Sequence, residues 1–157
     1  MSIEKKHILI IDDELEIRTV IQEILSEEGY STEIAESALE AETKITNRMP
    51  DLVFLDIWMP DIDGISLLKK WSQENTMTSP VIMISGHATI ETAIEATKLG
   101  AVDFIEKPIS MEKLFNALNG AFSFTESIEN EDILSYILRK SKTMSDIFHA
   151  TLGDSRS

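Results

Sequence analysis

Five times along the chain, a short run rich in β-branched and other apolar residues gives way to a longer stretch in which apolar residues recur every three or four positions. The first pair is "HILII" (His7 to Ile11) followed by "ELEIRTVIQEILSEEG", where Ile17, Val20, Ile21, Ile24 and Leu25 share a helical face and Gly29 stands where a C-terminal cap glycine belongs. "STEIA" leads into "SALEAETKITNR", and "DLVFLD" leads across a Pro60–Gly64 turn into "ISLLKKWSQE". "PVIMIS" leads into "ATIETAIEATKLG", and "AVDFIE" into "SMEKLFNALNGAF". Continuous apolar strands separated by helices predict an α/β fold, a doubly wound parallel sheet covered on both faces. Right-handed crossovers leave few ways to wind it. Ligands in such sheets bind beyond the carboxyl ends of the strands, so function is sought there.

Those strand ends carry unusual chemistry. The first ends in Asp12, Asp13 and Glu14, the third in Asp56, the fourth in Ser85, and the fifth in "EKP" with Lys107 before Pro108. Each has an ordinary explanation. Asp12 or Asp13 could cap a helix, Ser85 before Gly86 could make a turn, and a lysine is usually a solvated charge. Asp56 is hardest to dismiss, because a carboxylate after "LVFL" is partly desolvated without being needed to start an adjacent helix. Taken together, carboxylates converging on one sheet edge repel one another and call for a cation. Mg²⁺ takes oxygen ligands and pairs one or two carboxylates with phosphate oxygens. With an ammonium and a hydroxyl as donors, the chemistry that fits is phosphoryl transfer to a carboxylate.

Composition narrows the partners. A formal net charge of −14 over 157 residues argues against direct nucleic-acid binding, which relies on clustered Lys and Arg. Without cysteine there are no disulfides or thiolate metal sites. The apolar run near the N-terminus is too short for a signal-peptide core, and no run reaches membrane-span length, so a soluble cytoplasmic protein is expected.

The motifs "ILIIDDE", "LVFLDIWMPDIDG", "VIMISGHA" and "AVDFIEKP", in this order and spacing, resemble the response regulator receiver (CheY-like) domain of bacterial two-component systems. The resemblance covers roughly Lys6 to Phe124. It implies a flavodoxin-like (βα)5 fold with strand order 2-1-3-4-5, a receiver over residues 1–124, and Asp56 as the acceptor of a phosphoryl group from a sensor histidine kinase. It further implies Mg²⁺ held by Asp12, Asp13, Asp56 and the main-chain carbonyl of Trp58. Ser85 takes the switch hydroxyl position, Lys107 pairs with the phosphoryl oxygens, Phe104 is the switch aromatic, and Pro108 follows a cis peptide bond. The face made by the fourth helix, fifth strand and fifth helix, about Ala88 to Phe124, would carry the signal and a homodimer. Beyond its own phosphorylation and dephosphorylation the chain is not expected to be an enzyme.

"SGHATIETAIEATKLGAVDFIEKP" is similar to NtrC/NtrX-type transcriptional activators, in which a receiver controls ATPase and DNA-binding domains. No G-x-x-x-x-G-K-[ST] loop occurs in the chain. Residues 125–157 read as a helical linker or tail toward an output domain, with Ile133, Leu134, Ile137 and Leu138 as an apolar stripe. That stripe fits a dimer-forming linker and a helix packed on its own domain equally well.

The competing readings fare worse. Haloacid-dehalogenase-type phosphatases place a second Asp two residues after the nucleophile, and here that residue is Trp58. A nucleotide-binding module would need a glycine-rich loop after the first strand. A phosphate-independent receiver-like interaction module is disfavoured by the full set Asp12, Asp13, Asp56, Ser85 and Lys107. His7 and His87 lack ligand-spaced partners. Trp58 and Met59 read as steric gates on the pocket.

Overall fold

The computed structural model describes residues 5–87 and 89–130, with side chains as far as residue 123. Among the described residues ten elements alternate: β1 (His7–Ile11), α1 (Leu15–Glu27), β2 (Ser31–Ala35), α2 (Ala38–Asn47), β3 (Leu52–Asp56), α3 (Gly64–Glu74), β4 (Val81–Ser85), α4 (Ile90–Lys98), β5 (Asp103–Glu106) and α5 (Met111–Asn130). All neighbouring strands are parallel, in the order β2-β1-β3-β4-β5. Residues as far as Ala121 form one compact unit; a second begins at Phe122. The stripe from Ile133 to Leu138 and the rest of residues 131–157 lie outside the described residues.

Strand chemistry explains the order. "HILII", "LVFLD" and "VIMIS" are buried at every position and occupy the centre, where helices cover both faces. "STEIA" and "DFIE" carry polar residues and form the two edges. Because strand side chains alternate sides, Leu9, Ile11, Val53, Leu55, Val81 and Met83 share one face and join Leu67, Leu68 and Trp71 of α3 and Ala96 of α4 in a single core. The alternate set, including Ile8, Ile10, Phe54 and Ile82, is also fully buried, as are Ile21 and Leu25 of α1 and Leu114 and Leu118 of α5. The buried face of α1 departs from the sequence expectation. Val20 is exposed, whereas Arg18 is buried with Ile21 and Leu25.

Helix ends are closed by nameable groups. At Gly29 (φ 91°) and Gly100 (φ 110°) the chain takes the left-handed conformation that lets Tyr30 N–H bond Leu25 O and Ala101 N–H bond Ala96 O, both at 3.0 Å. The N-terminus of α2 is held from two directions. Ser37 Oγ accepts the Glu40 N–H at 3.2 Å, while Asp61, from the loop after β3, accepts the Ala38 and Leu39 N–H groups at 3.0 Å each. Slight burial works against its charge, but those two amides and that of Ile62 hold the Asp61 carboxyl below its ordinary range. Asp61→Ala should cost about 1 kcal/mol, read as a lower urea midpoint at unchanged slope. With a depressed folded-state pKa, that contribution is present above the ordinary carboxylate range and is lost on acidification. The difference between variant and wild type should therefore shrink below about pH 4.

Candidate functional site

Strands β1 and β3 are parallel neighbours, with Ile11 paired to Leu55, so the chain leaves both at the same sheet edge and sets Asp12 beside Asp56. Both are buried, at 0 % and 2 % exposure. Lys107 follows β5, where its N–H bonds Ser85 O at 2.8 Å and the Lys107–Pro108 peptide bond is cis. From there its side chain crosses the edge. Nζ lies 3.0 Å from Asp12 Oδ2, 2.9 Å from Glu14 Oε1 and 3.6 Å from Asp56 Oδ1. Asp13, Glu14, Asp56, Trp58, Gly86, His87 and Lys107 line an open cleft of about 510 Å³.

The electrostatics are unbalanced. Asp12, Asp13, Glu14 and Asp56 each bring a carboxylate oxygen within 4.8 Å of the others, against one ammonium. Burial first, then the neighbouring Asp12 charge, push the Asp56 carboxyl up to about 7, with Lys107 opposing. Burial also raises Asp12. For Lys107, burial works against the charge, but the bonds to Glu14 and Asp12 outweigh it and hold the ammonium above its ordinary range. Asp12 is tied down on three sides. Its N–H bonds Ala35 O at 3.0 Å, its carbonyl takes the Arg18 guanidinium at 2.8 Å, and its Oδ1 accepts the Glu14 N–H at 2.8 Å. Its Oδ2 is buried with no hydrogen bond of good geometry, leaving only the ion pair to Lys107. An all-oxygen, anion-rich edge with one oxygen left over fits a small hard divalent cation such as Mg²⁺.

The remaining residues singled out in the sequence lie nearby in different settings. Asp13 and Trp58 are exposed at the cleft. Ser85 is fully buried at the end of β4, its Oγ accepting the His87 N–H at 3.2 Å. Phe104, paired with Met83, is partly buried and packs against the core. Of the two histidines, His87 borders the cleft, while His7 is buried at the opposite end of β1 beside Ser31 and Glu33. Among the described residues the cation-capable cluster contains no histidine. The sequence marks Glu14 at the end of the first strand but suggests no specific role for it, and Arg18 goes unmarked because it follows a helix pattern in which it looks solvated.

The model of the response regulator receiver domain family matches residues 8–119. The nitrogen assimilation regulatory protein NtrX of Azorhizobium caulinodans is 48 % identical over 109 residues, covering 68 % of this chain and 24 % of that protein. The chain thus spans less than a third of the length of such relatives. The crystal structure of the receiver domain of NtrX from Brucella abortus superposes with a TM-score of 0.68 at 44 % identity, covering 74 % of this chain and 98 % of that one. The solution structure of the beryllofluoride-activated NtrC4 receiver domain dimer matches with a TM-score of 0.68 at 39 % identity, over 75 % of this chain and 98 % of that one.

Proposed function

The chain belongs to the response regulator receiver family, and from that premise we propose that it accepts a phosphoryl group on Asp56 from the phosphohistidine of a sensor kinase. The observation that carries this reading is the placement of a buried Asp56 carboxylate at a strand end between Lys107 and three further carboxylates. In the transfer, an Asp56 carboxylate oxygen attacks phosphorus, the phosphorus–nitrogen bond of the donor breaks, and the imidazole leaves with the electron pair. Lys107 is placed to meet the oxygens of the transferred group in exchange for its contacts with Asp12 and Glu14. Asp12, Asp13, Asp56 and the Trp58 carbonyl would hold Mg²⁺, which supplies neutralisation of the phosphoryl charge. Residues 1–124 act as the receiver, and the chain's own catalysis extends only to forming and slowly hydrolysing its acyl phosphate.

The phosphoryl group adds charge and acceptor oxygens next to β4, within reach of a rotated Ser85 hydroxyl, and Phe104 repacks with it. The change is read on α4, β5 and the start of α5, where Ile90, Ile94, Met111 and, just before β5, Val102 are exposed apolar residues suited to a second copy of the chain. The setting is cytoplasmic, the partner a sensor histidine kinase, and the output transcription regulation of the NtrX type through domains reached beyond residues 125–157. Among the described residues no helix is long and apolar enough to cross a membrane.

Incubation with acetyl phosphate and Mg²⁺ should give a single phosphoryl adduct by intact-mass analysis, absent in EDTA. A folded wild type that gains none from acetyl phosphate or from purified sensor kinase would favour the phosphate-independent interaction module instead. Beryllofluoride with Mg²⁺ should raise the sedimentation coefficient toward that of a dimer; an unchanged monomer rules out the dimer arm.

A further inference from the structure

Arg18 occupies a place on α1 where an aliphatic residue would be expected. It is 7 % exposed and shares the buried stripe with Ile21 and Leu25, while Val20 faces solvent. A buried guanidinium is costly unless its donors are paired, and here they are paired only in part. Nη1 donates to the Asp12 main-chain carbonyl at 2.8 Å, Nη2 approaches Glu36 Oε2 at 3.6 Å, and among the described residues Nε has no hydrogen-bond partner. Stability alone does not account for it. Its one strong bond goes to the backbone of the residue that begins the acidic loop.

We propose that Arg18 is a positioning residue for the cation site: by fixing the Asp12 carbonyl, it sets the direction in which the Asp12 carboxylate and the Asp13–Glu14 loop leave β1. With the Asp12 N–H bonded to Ala35 O and Oδ1 accepting the Glu14 N–H, the Arg18 bond holds the following peptide as well, and Oδ2 is the carboxylate oxygen left with only the Lys107 ion pair. Groups that orient a metal ligand without touching the metal typically govern affinity by about 10–100-fold when removed. The inference rests on the cation reading given under Proposed function.

The test is a titration of the full chain with Mg²⁺ alone, following tryptophan emission, to which Trp58 at the cleft and Trp71 in the core both contribute, in wild type, Arg18→Met and Arg18→Lys, each paired with thermal unfolding in EDTA. Arg18→Met should bind Mg²⁺ about 10-fold more weakly, with a thermal midpoint in EDTA no lower than wild type, since an apolar side chain of similar length suits the buried stripe. Arg18→Lys should fall between the two, because it returns the charge and a single donor but not the planar fork. An Arg18→Met protein with wild-type affinity overturns the proposal. If that variant does not fold, Arg18→Lys with wild-type affinity overturns it equally. An affinity loss that only follows a loss of stability, with no recovery in Arg18→Lys, overturns it in favour of a packing role. A wild type that binds no Mg²⁺ overturns the cation reading itself, and this inference with it.

Discussion

In divalent-free buffer at pH 8, Asp56→Asn protein should unfold about 5–10 °C above wild type, and with Mg²⁺ restored it should take up no phosphoryl group from acetyl phosphate. Both results follow from one carboxylate. Asp56 is 2 % exposed and shares its edge with Asp12, Asp13 and Glu14, so ionising it without a cation is unfavourable. Its pKa is raised from the ordinary 3.8 to about 7, by burial and then by the Asp12 charge. For an acid raised in this way the folded state holds the proton more tightly than the unfolded chain. The associated stability is complete below about pH 4 and is lost as pH rises through about 7. The asparagine amide keeps the size and removes the charge, which amounts to about 2 kcal/mol once partial relaxation is allowed for. The gap in thermal midpoint between the two proteins should therefore open between about pH 4 and 7, close at acid pH, and narrow when Mg²⁺ is added. A gap that is absent at pH 8 in EDTA, or that does not depend on pH, would sink the electrostatic account. A phosphoryl adduct on the variant would place the acceptor elsewhere.

The same desolvated carboxylates are also why the candidate site could be read from the sequence. Asp56 after "LVFL" and Asp12 after "ILII" break a local rule, since strands so apolar are central and their ends are expected to be dry. Strand-scale periodicity located both, and the parallel arrangement brought them to one edge without further information. The edge positions of "STEIA" and "DFIE" came from the family resemblance and not from their pattern, although their polar residues suit a sheet edge. Contacts set by side-chain reach were not legible. The Lys107 ammonium joins Glu14 across 93 positions of sequence, and Asp61 caps α2 across 23 and 22, distances over which periodicity carries no signal. Arg18 was lost for a related reason: a charged residue in an amphipathic helix is assigned to solvent unless a tertiary acceptor is known. The Pro60–Gly64 stretch could be read as a turn, but what its glycine avoids could not.

That glycine yields the second large effect. Gly64 opens α3, and its N–H donates to Ile57 O at 2.6 Å, which draws the helix start against the end of β3. A Cβ built on Gly64 would lie 2.1 Å from the Asp56 carbonyl oxygen, 3.0 Å from the Asp56 carbonyl carbon and 3.1 Å from Ile57 Cα. All three atoms are backbone, so no side chain can rotate aside. Gly64 is not among the glycines at positive φ, so the requirement is space, not conformation. At an ordinary helix position, alanine is favoured over glycine by about 1 kcal/mol. Here the clash must move β3 or α3, and Gly64→Ala should be destabilising by about 3 kcal/mol. Since the displaced peptide is that of Asp56, phosphorylation by acetyl phosphate should fall about 100-fold even at temperatures where the variant is folded. Gly120→Ala makes the matching control. It lies in α5 with nothing within 4 Å of an added Cβ, and it should raise stability by about 0.5–1 kcal/mol with no change in phosphorylation. The same chemical change is thus expected to act with opposite signs at two helix glycines. Equal thermal midpoints for the two variants would mean that the close approach of Gly64 to Asp56 does not hold the proposed acceptor in place.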